Sequence, residues 1–270
     1  ADLRNAVQNK EFYLDYQPQF SGDGRRLVAF EALIRWQHPV SGRIAPDTFI
    51  PVAERMQLMN DIGRFALQEA CKFASEWPGA NSVNKPLTIA VNVSPSQFVD
   101  GAILEAVDDA LAQSGLDPHQ LELEITEQML INDFNEVAAV LNTLRNKGIR
   151  IAIDDFGSGQ TSLRYLEQIP ISKIQIDRAF VRGLGNDNRA NDITQSIVQM
   201  GHKLGCTVVA EGVEETAQAD LLHSWNCDQM QGFMYSRPLS SDDAMQLLAR
   251  QRQDIDAGVD AIRESNTSNA

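Results

Sequence analysis

The chain has 270 residues, a formal net charge of -14, 43% hydrophobic residues and 22% charged residues. That length suits one large domain, since an alternating strand–helix barrel takes about 250 residues. The acidic balance excludes a general nucleic-acid-binding surface, which needs a basic excess.

Residues 2–9 read as a short helix. Phe12–Phe20 is rich in aromatic and β-forming side chains, Ser21-Gly22-Asp23-Gly24 is a turn, and Leu27–Trp36 is a second strand. The first two strands therefore form a hairpin, with the first strand antiparallel. Helical spacing follows over 46–56 and 62–77, then a buried-type strand over 87–93 and a helix over 103–114 that Gly115 ends. The alternation continues as strand 121–125, helix 134–147, strand 149–153, and a glycine-rich loop with a helix near 161–167. Strand 171–176, helix 190–204, strand 207–210, helix 215–224 and strand 228–233 complete it. A last helix over 241–250 is helped by a serine cap and by Asp242 and Asp243 in its first turn. Residues 251–270 are polar without a core stripe and read as a tail or linker, leaving 1–250 as the domain.

Such alternation implies parallel strands joined by helical crossovers. Eight strands suggest closure into an α/β fold, a (β/α)8 TIM-like barrel modified by its antiparallel first strand. A doubly wound open sheet is the alternative, but its glycine fingerprint is missing after the early strands. Cys71, Cys206 and Cys227 are odd in number and far apart, as expected in a reducing cytoplasm. No apolar run approaches the ~18 residues of a membrane span. The helix-like opening at Ala1–Arg4 suggests a domain cut from a longer protein, whose other parts could be membrane-attached.

Polar residues fall at the strand ends. Glu31 lies inside the second strand and Asn92 ends the third. Glu124 ends the fourth with Glu127 just beyond, and Asp154 and Asp155 end the fifth. Asp177 follows the sixth, Glu211 and Glu214 follow the seventh, and Gln231 lies in the eighth. In a parallel barrel these ends surround one mouth, where active sites lie. A lone strand-end acid more often caps the next helix; acids at four or more ends would each need a separate structural reason. Crowded carboxylates protonate or gather cations. Oxygen donors with one amide suit Mg2+ or Mn2+, and an adjacent Asp-Asp pair suits two ions, as in phosphodiester hydrolysis.

The motifs Glu31-Ala32-Leu33 with Arg35-Trp36, Asn92-Val93-Ser94 and Glu124-Ile125-Thr126-Glu127 stand in the order of the EAL family. Asp154-Asp155-Phe156-Gly157-Ser158-Gly159, Glu211-Gly212-Val213-Glu214 and Gln231-Gly232-Phe233 continue it. Each is weak alone, but the ordered set, from about Leu3 to Leu248, closely resembles that family. The resemblance implies a cytoplasmic phosphodiesterase that opens cyclic di-GMP to pGpG with two Mg2+ or Mn2+ ions and is inhibited by Ca2+. It implies that Glu31, Asn92, Glu124 and Asp154 hold one ion and Asp154, Asp155 and Glu211 the other. Gln17, Leu33 and Arg35 would meet the dinucleotide. Asp177, Glu214 and Gln231 would support ligand or metal water. Glu127 would hold the loop from Asp155 to Ser162, which covers the site and helps form a homodimer. Further signalling domains in a longer chain are expected partners.

One position departs from the pattern. The family carries Lys-Ile-Asp where this chain has Gln175-Ile176-Asp177. The resemblance makes that lysine the partner of the attacking water. Glutamine takes no proton near neutrality, and losing a general base costs ~10²–10⁴-fold in rate. Three outcomes follow: a metal-driven enzyme of reduced activity, a catalytically inactive cyclic di-GMP receptor, or substitution by Lys173 from two residues deeper on the same strand face. The retained acids favour the enzyme.

Overall fold

The computed structural model describes residues 2–77, 87–132, 134–157, 166 and 168–251. The tail beyond 251 and most of the expected loop and helix over 158–167, Gly159 included, lie outside them.

The hairpin of β1 (Phe12–Ser21) and β2 (Leu27–His38) sets Gln17 opposite Glu31. After α2 (Pro46–Arg55) and α3 (Met59–Ser75) come β4 (Thr88–Asn92), α4 (Ala102–Ser114), β5 (Leu121–Thr126) and α6 (Phe134–Asn146). Strands β6 (Arg150–Phe156) and β7 (Lys173–Ile176) precede α8 (Asn188–Lys203), β8 (Thr207–Ala210), α9 (Thr216–Ser224) and β9 (Gln229–Met230). A final helix, α10, occupies 241–251. The strands order β1-β9-β8-β7-β6-β5-β4-β2, and the β1–β2 pairing closes the ring. Strand β1 is antiparallel to both neighbours, while the other pairs in the ring are parallel. This is the closed, modified barrel expected from the sequence.

Alternation along the strands builds two environments. On β5, Leu121, Leu123 and Ile125 are fully buried in the layer between strands and helices. Burying each contributes about 1.5–3 kcal/mol. The intervening Glu122 and Glu124 point into the lumen, as do Lys173 and Gln175, which alternate with Ile174 and Ile176 on β7. Contacts across the barrel fix this: Lys173 Nζ lies 2.5 Å from the Glu122 carboxylate and donates to Gln19 Oε1 at 3.1 Å. Helix α3 covers the outside with Ile62, Ala66, Leu67 and Ala70, all buried at helical spacing.

Several short elements were not anticipated: β3 (Gly42–Ile44) beside β2, a 3-10 turn over Pro95–Gly101, another over Pro118–Gln120, α5 (Met129–Asn132) and α7 (Arg178–Arg182). They are too brief to leave a periodic pattern. The first helix, α1, spans Asp2–Ala6 rather than reaching 9. The last strand stops at Met230 rather than 233, because the chain turns at Gly232. A Cβ on Gly232 would stand 2.0 Å from the Val213 carbonyl oxygen. Gln251, at the start of the expected tail, docks on the body: it accepts from Leu27 N–H at 2.8 Å and donates to the Arg25 carbonyl at 3.0 Å.

Candidate active site

The parallel register brings the strand-end acids to one rim. Asn92 pairs with Glu124 and Thr126 with Asp154 across adjacent strands. Glu31 is the hub of the polar contacts, accepting from Asn92 Nδ2 at 2.8 Å and from Gln231 Nε2 at 2.6 Å. Gln175 is fully buried, and its amide donates to Glu124 Oε1 across the lumen. The other Glu124 oxygen, Oε2, is buried and has no hydrogen-bond partner among the described residues.

The charges feel one another. Burial, then Glu31 and Asp154, raise the Glu124 carboxyl well above the usual range. Burial, then Asp154, Glu31 and Asp155, raise Glu211 in the same way. Asp154 is pushed up to about 7 by burial, then by Glu31 and Asp155, despite the Asp155 N–H that it accepts at 2.7 Å. Asp155 is raised by burial and by Asp177. Five carboxylates, Glu31, Glu124, Asp154, Asp155 and Glu211, thus share one electrostatic neighbourhood. They do not form a closed coordination shell: among the described residues no three acidic, histidine or cysteine side chains are gathered tightly enough to hold an ion. The donor set fits a hard divalent cation nonetheless, being carboxylate oxygen plus one amide, with Glu124 Oε2 still seeking a partner.

The Asp154–Asp155 pair sits where the β6–β7 register shifts between Ile153 and Phe156. Asp155 has φ +53°, an uncommon backbone state for a side-chain-bearing residue that aspartate tolerates better than most. The irregularity re-aims the two carboxylates where a regular strand would send them to opposite faces. Directly after it, Gly157 has φ +97°, and its N–H donates to Glu127 Oε2 at 3.1 Å. Glu127 is thereby tied to Gly157, the last described residue before the segment it was expected to hold. The rest of that loop lies outside the described residues.

Two cavities flank the acids. One of about 410 Å³ is lined by Leu33, Arg35, Asn92, Asp154 and Asp155. The other, about 150 Å³, is lined by Gln17, Arg178, Arg182, Glu211, Glu214 and Gln231. All the expected ligand residues except Asp177 line one of them. Asp177 instead caps α7, accepting from Ala179 N–H at 2.7 Å, while its charge still reaches Asp155 and Glu211. Gln17 is tied down by a 2.5 Å bond to the Ser236 carbonyl.

Sequence reasoning missed Arg178 and Arg182, which bring positive charge to the smaller cavity. It also gave no role to Arg237, which lies 4.4 Å from the ring centre of the half-exposed Phe233. Arg178 and Arg182 stand on a helix too short to read, and only Arg178, adjacent to Asp177, offered a signal. Lys173 is committed to Glu122 and Gln19, in the tier below Gln175. Trp36 packs against Phe12 and Phe49 and donates to Glu11 at 2.9 Å, a structural role.

The sequence pattern of the EAL domain matches residues 1–238. The chain is 40% identical over 249 residues to the signaling protein YkoW of Bacillus subtilis strain 168, covering 92% of this chain and 31% of YkoW. It is 38% identical over 248 residues to MucR of Pseudomonas aeruginosa PAO1, a bifunctional diguanylate cyclase/cyclic di-GMP phosphodiesterase, covering 92% of this chain and 36% of MucR. It thus spans about a third of the length of these relatives. Among solved structures, the MucR phosphodiesterase in complex with cyclic di-GMP superposes with a TM-score of 0.85 at 37% identity, covering 90% of this chain and 98% of that one. The EAL enzyme Bd1971 bound to cAMP and cyclic di-GMP gives 0.85 at 30% identity, covering 91% and 67%. Fold, ordered motifs and these likenesses agree: the chain belongs to the EAL domain family.

Proposed function

We propose that this domain binds cyclic di-GMP at the barrel mouth and hydrolyses it to pGpG, at a rate reduced by Gln175. The observation that carries the reading is the convergence of five mutually repelling carboxylates on one rim between two cavities. Glu31, Asn92, Glu124 and Asp154 would hold one Mg2+ or Mn2+ ion, and Asp154, Asp155 and Glu211 a second. Such ions supply Lewis-acid polarisation of the phosphodiester and activation of water.

The chain's own groups do the rest. Arg35 in the larger cavity and Arg178 and Arg182 in the smaller one offer positive charge to an anionic ligand. Gln175 donates a hydrogen bond to Glu124 and keeps that carboxylate oriented, but it takes no proton from an attacking water. Glu127 anchors the loop after β6 at Gly157, and through that loop a homodimer is part of this reading.

A second reading, a receptor that binds without turnover, is favoured by that same un-ionisable Gln175 side chain. Incubation with cyclic di-GMP and Mn2+ followed by chromatography separates the two. The enzyme reading expects pGpG; calorimetric binding with no product selects the receptor, and no binding removes both.

A further inference from the structure

Asp15 stands on β1 opposite Leu33 and is buried. Its Oδ2 accepts from two arginines, Arg35 Nε at 2.8 Å and Arg43 Nη2 at 2.7 Å. Arg35 also donates Nη1 to the Ile34 carbonyl at 3.1 Å. Among the described residues, Arg35 Nη2 makes no hydrogen bond. Yet Arg35 lines the 410 Å³ cavity beside Asn92 and Asp154. Its side chain is only 10% exposed, whereas that of Arg43 is 55% exposed.

These contacts solve a problem that an arginine in a phosphate site ordinarily meets. A free guanidinium gives up much rotamer freedom when it takes a ligand. Here the Nε and Nη1 bonds fix its plane beforehand, so that ordering loss does not fall on binding. A buried carboxylate beside an anionic ligand is by itself repulsive, but two guanidinium groups on one oxygen leave the cluster net positive. We infer that Asp15 is a positioning residue: it grips Arg35 by Nε, so that the Nη2 side of the guanidinium stands committed to a ligand phosphate, with Arg43 supplying the compensating charge. This rests on the reading that the cavity takes a cyclic dinucleotide.

The test has a ligand-free arm and a ligand arm. In 15N NMR of the ligand-free protein, the Arg35 Nε–H signal, assigned by its loss in Arg35→Lys, should exchange slowly. It should be lost in Asp15→Ala. In calorimetry with Ca2+ and cyclic di-GMP, Asp15→Ala should weaken binding about tenfold, the loss of one charge-assisted contact. Asp15→Asn, which keeps an acceptor oxygen, should fall between Asp15→Ala and the parent and carries the test if Asp15→Ala does not fold. In turnover assays the loss should appear in KM rather than kcat. Combining Asp15→Ala with Arg35→Ala should cost little more than Arg35→Ala alone, because the two act as one unit. Unchanged affinity and an unchanged Nε–H signal, or fully additive losses, overturn the assignment of Asp15. Failure of the parent protein to bind removes the ligand reading and this inference together. Parent binding with an indifferent Asp15 variant removes this inference alone.

Discussion

Removing metal should make this protein more stable as the pH falls, the reverse of ordinary acid sensitivity. Asp154 carries the argument, because its carboxyl rises from 3.8 to about 7 in the fold through burial and the charges of Glu31 and Asp155. A carboxyl raised on folding is taken up as the protonated acid by the native state first. Between those two values the native chain binds a proton that the unfolded chain does not, so stability falls as pH rises through the window. The difference corresponds to about 4 kcal/mol at most. For a chain of this size, 1 kcal/mol moves the melting temperature by about 2–4 °C. Melting curves in EDTA between pH 7.5 and 5 should therefore rise by several degrees toward the acid side. Asp154→Asn should melt higher than the parent at pH 7.5 and have a shallower slope, the remainder coming from the raised carboxyls of Glu124 and Glu211. Saturating Mg2+ should abolish it in the parent by neutralising the cluster. A flat or opposite slope in EDTA, or an identical slope in Asp154→Asn, refutes the reasoning.

Three further perturbations separate chemistry from structure. Gln175→Lys should raise hydrolysis by about 10²-fold or more over the parent; equal turnover in both shows that this position holds no base. Lys173→Met leaves Glu122 buried without its counter-charge and should cost about 3–5 kcal/mol in denaturant unfolding. Turnover abolished with stability intact would make Lys173 the proton acceptor instead. Gly232→Ala should cost about 3 kcal/mol, since its Cβ would lie 2.0 Å from the Val213 carbonyl oxygen and 2.3 Å from its nitrogen. A variant that melts like the parent contradicts that close approach.

Much of the barrel was legible because alternation on its strands is simple: Leu-Glu-Leu-Glu-Ile-Thr on β5 announces both the buried outer face and the polar lumen. The hairpin was legible for the same reason, with Ser21–Gly24 as a turn between two apolar runs. What escaped was short or set by tertiary contact. Strand β3 has three residues and exists through its pairing with β2, yet it carries the Arg43 that meets Asp15. Helix α7 has five residues and brings Arg178 and Arg182 to the smaller cavity. Asp15 resembles any strand acid until Arg35 is placed beside it. Asp154 and Asp155 could be singled out as a pair, but the register shift and the φ of +53° that present both at the rim belong to the β6–β7 junction.

The most direct measurement of the account is calorimetric titration of the metal-free protein with Mn2+, alone and with cyclic di-GMP present. Two ions taken up per chain, with uptake lost in Glu124→Ala and Asp154→Ala and enhanced by the dinucleotide, is the expected result. No uptake in the parent, or uptake indifferent to both substitutions, contradicts the claim that these carboxylates form one cation-binding rim.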